Sequence, residues 1–448
     1  MNRSRLIRQT LFLSSSHFIV RVIGFVMRIW LSREMGATAM GIVELAHSAQ
    51  MLLITPVVSG LPAAVSRMSA KAADDPAKQT SILRCGIALS LMAGLPLMTA
   101  AFLMRTQIAL WLGDIRTLPA LIIYLPCIPI LGVSCALNGY YYGTNRPVPP
   151  ALSEIIEQII RFALSLRLVS LLRNWPVMLR AAVPALGTLA GETIGLLFML
   201  LLCANAVLFV KGTGTYRNIL REMLSLALPL TGMRFVSSLM RTVNATLIPN
   251  RLQLSGLPKA EALSQLGMLN GMLMPMLLLP SFITCSLCMV SAPELTRRQT
   301  QKKPLRPLCT RIAVSALTIG LVCMAGVFLF SSLIAEKIYR HAELLPLLKC
   351  CCPLIPLMAL TQVLGGMMNG LGLQRQSLRI SLIAGFSSIL VTYVLAAIPA
   401  FRLWGVVIAM GTSQLFTLIL SLRVLKQTIS PHSVCTFQSP EQDRPHRW

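Results

Sequence analysis

Two arginines lie inside the first long apolar stretch of the chain, whose residues 17–30 read HFIVRVIGFVMRIW. An arginine near the centre of a membrane-spanning helix costs about 2.5–3.5 kcal/mol on insertion scales, so Arg21 and Arg28 should face a protein interior or a water-filled cavity. Seven residues make almost two helical turns, which places both on nearly the same face. Paired permanent cations suit an anionic ligand, because a guanidinium binds two phosphate oxygens at once. Alternatively, Arg21 pairs with a buried carboxylate and Arg28 reaches the outer interface beside Trp30.

The seventh apolar stretch contains a second pair of arginines with the same spacing. Arg234 and Arg241 are also seven residues apart. They are the matching candidates for an anion-binding surface in the second half of the chain. The alternative for Arg241 is a position at the membrane interface.

Acidic residues also occur within apolar stretches. Glu157 and Arg161 are four residues apart in SEIIEQIIR, which predicts an ion pair within one helix. The alternative is a coupling role, in which such a pair releases its carboxylate to a cation or proton. Glu192 is more isolated, and we expect it to balance an arginine of the first stretch. For Glu44 and His47 we predict a solvated or capping role near the outer interface.

These residues belong to helices that must cross a membrane. Of the 448 residues, 55% are hydrophobic and 12% are charged, whereas soluble domains have roughly 25% charged residues. The net charge is +25, but the basic residues lie mostly between apolar stretches. Membrane orientation and anionic lipid headgroups therefore explain them better than nucleic acid.

The sequence contains no sign of catalytic or cofactor chemistry. It has no GxxxxGK[ST] loop for nucleotide phosphates, no hydrolase serine elbow and no metal-ligand cluster. The twelve cysteines are interpreted as small buried hydrophobic residues. We therefore expect no enzyme activity, no cofactor and no metal site.

Polar breaks divide the chain into about twelve apolar spans, each about long enough to cross the bilayer as a helix. The first span is too long for a signal peptide and lacks a cleavage site. Loops on one side hold about twice as many Lys and Arg as those on the other, which predicts that both termini are cytoplasmic. The predicted spans are 10–31, 42–66, 80–104, 117–142, 150–172, 181–210, 218–243, 264–290, 309–333, 343–370, 377–399 and 403–425.

The second half of the chain repeats the first. One copy of the repeat contains Pro62 and Asn138-Gly139, and the other contains Pro293 and Asn369-Gly370. The two copies lie 231 residues apart. An even number of spans between copies predicts parallel repeats, with a substrate cleft near the membrane midplane. The expected organisation is a six-helix lobe at 1–211, a second at 212–427 and a polar cytoplasmic tail at 428–448.

Motifs along residues 8–427 resemble those of the stage V sporulation protein B group of polysaccharide exporters. This group belongs to the multidrug/oligosaccharidyl-lipid/polysaccharide (MOP) flippase superfamily, which also contains the MurJ-type lipid II flippases and the MATE exporters. The motifs are RVIGFVMR at 21–28, GATAMG at 36–41, GLPAAVS at 60–66, GYYYG at 139–143, SEIIEQIIR at 153–161, LALP at 226–229, RLQ at 251–253, LGMLNG at 266–271 and APELT at 292–296.

The resemblance implies two six-helix lobes arranged in a V and alternately open to each membrane face. It also implies transfer of an undecaprenyl-pyrophosphate-linked saccharide or peptidoglycan precursor to the outer leaflet. In MurJ-type relatives, first-span arginines line a cavity that meets the pyrophosphate, and Arg21 and Arg28 match them. The extra residue Met27 rotates Arg28 by about 100° relative to that pattern. Arg67 is the nearest match to basic residues that form a portal after the second-span proline.

The expected setting is the bacterial cytoplasmic membrane, in envelope or spore cortex polysaccharide synthesis. The expected partners are the lipid-linked substrate, anionic lipids and cell-wall synthesis proteins, with the chain itself a monomer and no nucleic acid bound. Two other functions stay open: a cation-coupled multidrug or toxin exporter of the same superfamily, and a non-transporting scaffold in envelope assembly. A cavity lined by arginines would repel cationic drugs, which favours the flippase.

Overall fold

The structure, a computed structural model, describes residues 3–208, 216–301 and 303–429, and these form helices and turns without strands. The helices of the first half are α1 (Arg3–Met35), α2 (Ala37–Val58), α3 (Leu61–Lys71), α4 (Pro76–Leu103), α5 (Arg105–Trp111), α6 (Leu118–Tyr124), α7 (Cys127–Gly143), α8 (Val148–Leu171), α9 (Val177–Arg180) and α10 (Val183–Leu208). Those of the second half are α11 (Tyr216–Leu254), α12 (Lys259–Gly267), α13 (Met274–Leu277), α14 (Ser281–Thr300), α15 (Arg306–Leu329), α16 (Leu344–Cys351), α17 (Leu354–Gly370), α18 (Gln374–Leu395) and α19 (Arg402–Ile429).

Each predicted span coincides with a long helix or with consecutive helices. Within the described residues, eight helical segments are long and apolar enough to cross a membrane, and two interrupted pairs, α12–α13 with α14 and α16 with α17, bring the number to ten. Helices α1 and α8, at 33 and 24 residues, are also long enough. The prediction of an all-α polytopic membrane protein is confirmed.

The helices are organised into two compact units. The first comprises Met1–Met276, Phe330–Lys349 and Gly385–Ala409, and the second comprises Leu277–Leu329, Cys350–Ala384 and Met410–Trp448. The expected lobe boundary at 211/212 and most of the tail at 428–448 lie outside the described residues. The division into lobes at 1–211 and 212–427 therefore stays a prediction.

Repeated motifs make equivalent helix contacts within each unit. In the first unit a Cβ on Gly139 of α7 would lie 2.6 Å from the carbonyl oxygen of Pro62 on α3. In the second unit a Cβ on Gly370 of α17 would lie 2.9 Å from the α-carbon of Ala292 on α14. Because neither glycine has a side chain, its helix can approach the backbone at the start of a repeated motif, as helices do at small residues in membrane proteins.

Candidate functional site

Helices α1 and α8 pack side by side and run in the same direction. His17 Nδ1 lies 3.1 Å from Glu154 Oε2 near one end of the contact. At the other end the ring of Trp30 meets that of Phe162 edge-on, with 6.5 Å between the centroids. This packing fixes the face of α1 that carries its arginines.

Arg28 links three segments of the first unit. Its Nη2 atom pairs with Glu44 Oε1 of α2 and donates to the backbone carbonyl of Asn270 at 3.0 Å. Asn270 belongs to a π-helical turn, Met268–Leu273, between α12 and α13. Such turns change which carbonyls the helix itself uses and are frequent at functional sites. The Arg28 side chain is still 37% exposed, whereas that of Glu44 is 13% exposed.

These contacts correct two expectations. Arg28 does not reach past Trp30 to the interface, because Glu44 and Asn270 hold its guanidinium between the helices. Glu44 is neither solvated nor a helix cap, because it is the counter-ion of Arg28. The sequence spacing between α1 and α2 did not indicate that these two side chains meet.

A second ion pair joins α8 to α10. Arg161 Nη2 lies 2.7 Å from Glu192 Oε1, and the two side chains are 17% and 11% exposed. The predicted ion pair between Glu157 and Arg161 within α8 is wrong. Glu157 instead accepts a hydrogen bond of 2.8 Å from Ser153, and the partner of Glu192 comes from α8 rather than from α1.

Three glycines of α10 bring this pair together. Gly187, Gly191 and Gly195 are four residues apart, so they line one face of the helix against α8. A Cβ on Gly191 would lie 2.7 Å from the backbone oxygen of Glu157, and one on Gly195 would overlap the Glu157 carboxylate. This GxxxGxxxG pattern was not among our sequence predictions, although it is a known signal for close helix packing in membranes.

His47 interacts electrostatically with both ion pairs. Its Nδ1 atom is 3.2 Å from Gln50 Oε1, and it lies within the electrostatic field of Glu44, Arg28 and Arg161. Its ring also approaches that of Tyr124 on α6, with 6.4 Å between centroids. The ion pairs Arg28–Glu44 and Arg161–Glu192 are therefore parts of one polar network within the apolar interior.

The other predicted site residues lie outside this network. Arg21 is half-buried on α1, one turn beyond His17, whereas Arg67, Arg234 and Arg241 are exposed. The structure describes no contact of these three with Arg28. Their proposed roles in binding and at a portal stay predictions.

Comparisons with known proteins identify the family. The profile of the family described as "Polysaccharide biosynthesis protein" matches residues 6–299. The chain belongs to this family. It is 26% identical over 442 residues to stage V sporulation protein B of Bacillus subtilis (strain 168), which covers 96% of this chain and 85% of that protein.

Solved structures show the same fold. An inward-facing MATE family multidrug resistance transporter of the MOP superfamily aligns with a TM-score of 0.73 and 16% identity, over 92% of this chain and 98% of that one. The lipid II flippase MurJ in an inward closed conformation aligns with a TM-score of 0.72 and 14% identity, over 95% and 91%. The resemblance to the MOP flippase superfamily is confirmed, and the chain is a multi-pass membrane protein.

The network of this polysaccharide biosynthesis family member contains both acidic and basic side chains and is not purely cationic. One arginine of α1 and one of α8 lie near three glutamates of α2, α8 and α10, together with one histidine. Within the described part of the chain, no group of three or more His, Cys, Asp or Glu side chains has the geometry to hold a metal ion. The side chains of the network are Arg28, Arg161, Glu44, Glu157, Glu192 and His47.

Proposed function

We propose that this protein is a flippase, which moves an undecaprenyl-pyrophosphate-linked saccharide or peptidoglycan precursor from the inner to the outer leaflet of the bacterial cytoplasmic membrane by alternating access. The proposal includes a cytoplasmic position for both termini, which the distribution of Lys and Arg among the loops supports. Family membership and the likeness to stage V sporulation protein B support this class of substrate. The observation that carries it in the structure is a membrane-embedded, partly exposed guanidinium at Arg28.

Arg28 has the chemistry for a pyrophosphate. Its Nη2 atom already binds two oxygens, those of Glu44 and Asn270, whereas Nε is buried without a hydrogen-bond partner among the described residues. Nε and one Nη form the fork that binds two phosphate oxygens together. Arg21, about 10 Å along the same helix, supplies a second cation to the same ligand.

Pyrophosphate must compete with Glu44 for Arg28. When Arg28 turns to the ligand, Glu44 loses its counter-ion in an apolar interior, and an unpaired buried carboxylate is strongly unfavourable. His47 lies one turn further along α2 and interacts electrostatically with Glu44. Substrate binding therefore requires that Glu44 find another partner once Arg28 has turned to the ligand.

The exporter of cationic compounds is the second candidate, and the acids of α8 and α10 favour it. Glu157 and Glu192 lie near one cation, Arg161, so the group has a spare carboxylate that can take a proton or cation. In the flippase this carboxylate serves as the coupling acid. In an exporter it would contact the cargo directly.

The deciding experiment measures transport in vesicles containing the purified full chain. Fluorescent undecaprenyl-pyrophosphate saccharides should cross faster than in empty vesicles, and Arg28→Gln should slow the crossing at least about tenfold. Arg33→Gln, which removes an exposed arginine from the same helix, should leave the rate within about twofold.

One result would count against the flippase, and another would count against Arg28 as part of its substrate site. One is a rate of pyrophosphate-lipid crossing equal to that of empty vesicles while a cationic dye is expelled under a proton gradient, which would favour the exporter. The other is an Arg28→Gln variant, present at normal abundance, that transports the lipid as fast as the wild type. That result would remove Arg28 from the substrate site.

A further inference from the structure

The second unit contains a groove among α15, α17 and α19 with a volume of about 460 Å³. The buried side chains Leu364 and Met367 of α17 lie at its base. Val314 of α15 and Leu422 of α19 line it as well and are 56% and 46% exposed. These helices cross the membrane, so exposed apolar side chains at this depth contact lipid rather than water. The groove therefore opens toward the hydrocarbon of the bilayer.

One end of the groove is positively charged. Arg306 is the first residue of α15, and Lys426 lies in the last turn of α19. Both side chains are exposed, and no carboxylate of the described chain lies within 4.0 Å of either, since neither takes part in an ion pair there. Two cations at a helix boundary next to an apolar groove match a molecule with an anionic head and an apolar tail.

We propose that this groove binds one anionic phospholipid of the surrounding membrane. Its phosphate group lies between Arg306 and Lys426, and one acyl chain lies along Ala313 and Val314. Arg306 and Val314 are separated by eight residues, or about 12 Å of helix, so the groove holds the upper part of one chain. A groove of that length does not need a long isoprenoid chain to fill it, and anionic phospholipids are the abundant anionic lipids that surround such a helix bundle. Binding of this phospholipid does not depend on the proposed cargo.

The test uses native mass spectrometry of the purified full chain in detergent, titrated with phosphatidylglycerol or with phosphatidylcholine of the same acyl chains. The wild type should bind phosphatidylglycerol at least about tenfold more tightly. The double variant Arg306→Gln with Lys426→Gln should weaken phosphatidylglycerol binding by about thirtyfold and leave phosphatidylcholine binding unchanged.

A matched control removes the same charge from the same helices. Arg311 and Arg423 are exposed and lie outside the groove lining, so Arg311→Gln with Arg423→Gln should change the affinity less than about twofold. A second variant, Ala313→Phe, keeps both cations and fills the groove. This variant should weaken phosphatidylglycerol binding, which distinguishes binding inside the groove from attraction by surface charge alone.

Three results would overturn the proposal. An equal loss in the control double variant would show that surface charge alone attracts the lipid. Equal affinity for the two phospholipids would show that the cations do not select the head group. Displacement of phosphatidylglycerol from the groove by an equimolar lipid-linked pyrophosphate would show that the groove binds transport substrate instead.

Discussion

Arg161, the cation that joins α8 to α10, leads to a prediction about the relative stability of three variants. Arg161 is paired with Glu192, and Glu157 lies one turn before it on the same helix. Arg161→Gln leaves two carboxylates without a cation, Glu192→Gln leaves Arg161 one carboxylate within reach, and Glu157→Gln leaves the observed pair intact. The loss of stability should therefore be largest for Arg161→Gln and smallest for Glu157→Gln.

The size of the effect follows from the geometry. A contact of 2.7 Å between Nη2 and Oε1 places the charge centres about 4 Å apart, which is worth about 4 kcal/mol at an effective dielectric constant of 20. Loss of one partner from a buried pair costs about 3–5 kcal/mol, which we expect for Arg161→Gln. Glu192→Gln should cost about half as much because Glu157 can replace the lost acid. Glu157→Gln should stay within about 1 kcal/mol, since an amide oxygen still accepts from Ser153.

Thermal unfolding of the purified variants in detergent, at pH 8 and at pH 5, measures this ranking. At pH 5 the two unpaired carboxylates of Arg161→Gln can be neutralised by protons, so its deficit should shrink relative to pH 8. The apolar double variant Arg161→Met with Glu192→Leu is the control. Such replacements of a buried pair are often neutral, so it should be more stable than Arg161→Gln alone.

Two outcomes would refute the ranking. If Glu157→Gln destabilises the protein more than Glu192→Gln, Glu157 is the principal counter-ion of Arg161. If the deficit of Arg161→Gln is the same at both pH values, the cost comes from lost packing rather than from unpaired charge.

Two further predictions concern helix packing and a capping acid. Gly191→Ala should cost about 1–3 kcal/mol in thermal unfolding, because its Cβ would lie 2.7 Å from a backbone oxygen. The control Gly232→Ala should cost little, because nothing lies within 4 Å of that Cβ position. Equal losses of stability in the two variants would contradict the close α8–α10 contact. At Asp114, burial opposes ionisation, but hydrogen bonds from Arg116 outweigh it and hold the pKa of the carboxyl below its usual range. Its charge therefore stabilises the fold above the unfolded pKa near 3.9, and the deficit of Asp114→Asn in thermal unfolding should vanish as the pH falls through the lowered pKa of the folded protein. A deficit that persists at still lower pH would show a role for shape alone.

Much of the fold could be predicted because membrane spans depend on local properties. About 20 apolar residues suffice for a span, so the lengths between polar breaks gave helices such as α4 and α15 to within a few residues. The repeat was also visible, since Gly139 and Gly370 stand at equal offsets from Pro62 and Pro293 and make equivalent close contacts. Neither prediction needed knowledge of which helices are neighbours.

Ion-pair partners could not be predicted, because they depend on helix neighbours and rotation. Glu44 and Arg28 are 16 residues apart, and Arg161 and Glu192 are 31 apart. Local spacing favoured Glu157 for Arg161, but the contact of α10 through Gly191 brings Glu192 within reach instead. The spacing of glycines in α10 was the one signal in the sequence that could have indicated this arrangement.

The ion pairs of the network are not repeated among the described residues of the second half, although the close helix contact of Gly139 is repeated at Gly370. At the repeat offset of 231 residues, Glu157 and Arg161 correspond to Ser388 and Thr392, which are buried and uncharged. Arg241, the counterpart of Arg28, is exposed, and the position 213 residues after Glu44 is Leu257. If the ion pairs only stabilised a six-helix bundle, the second copy would need them as much as the first. Their restriction to the first half instead supports the proposal that this half holds the groups that respond to substrate.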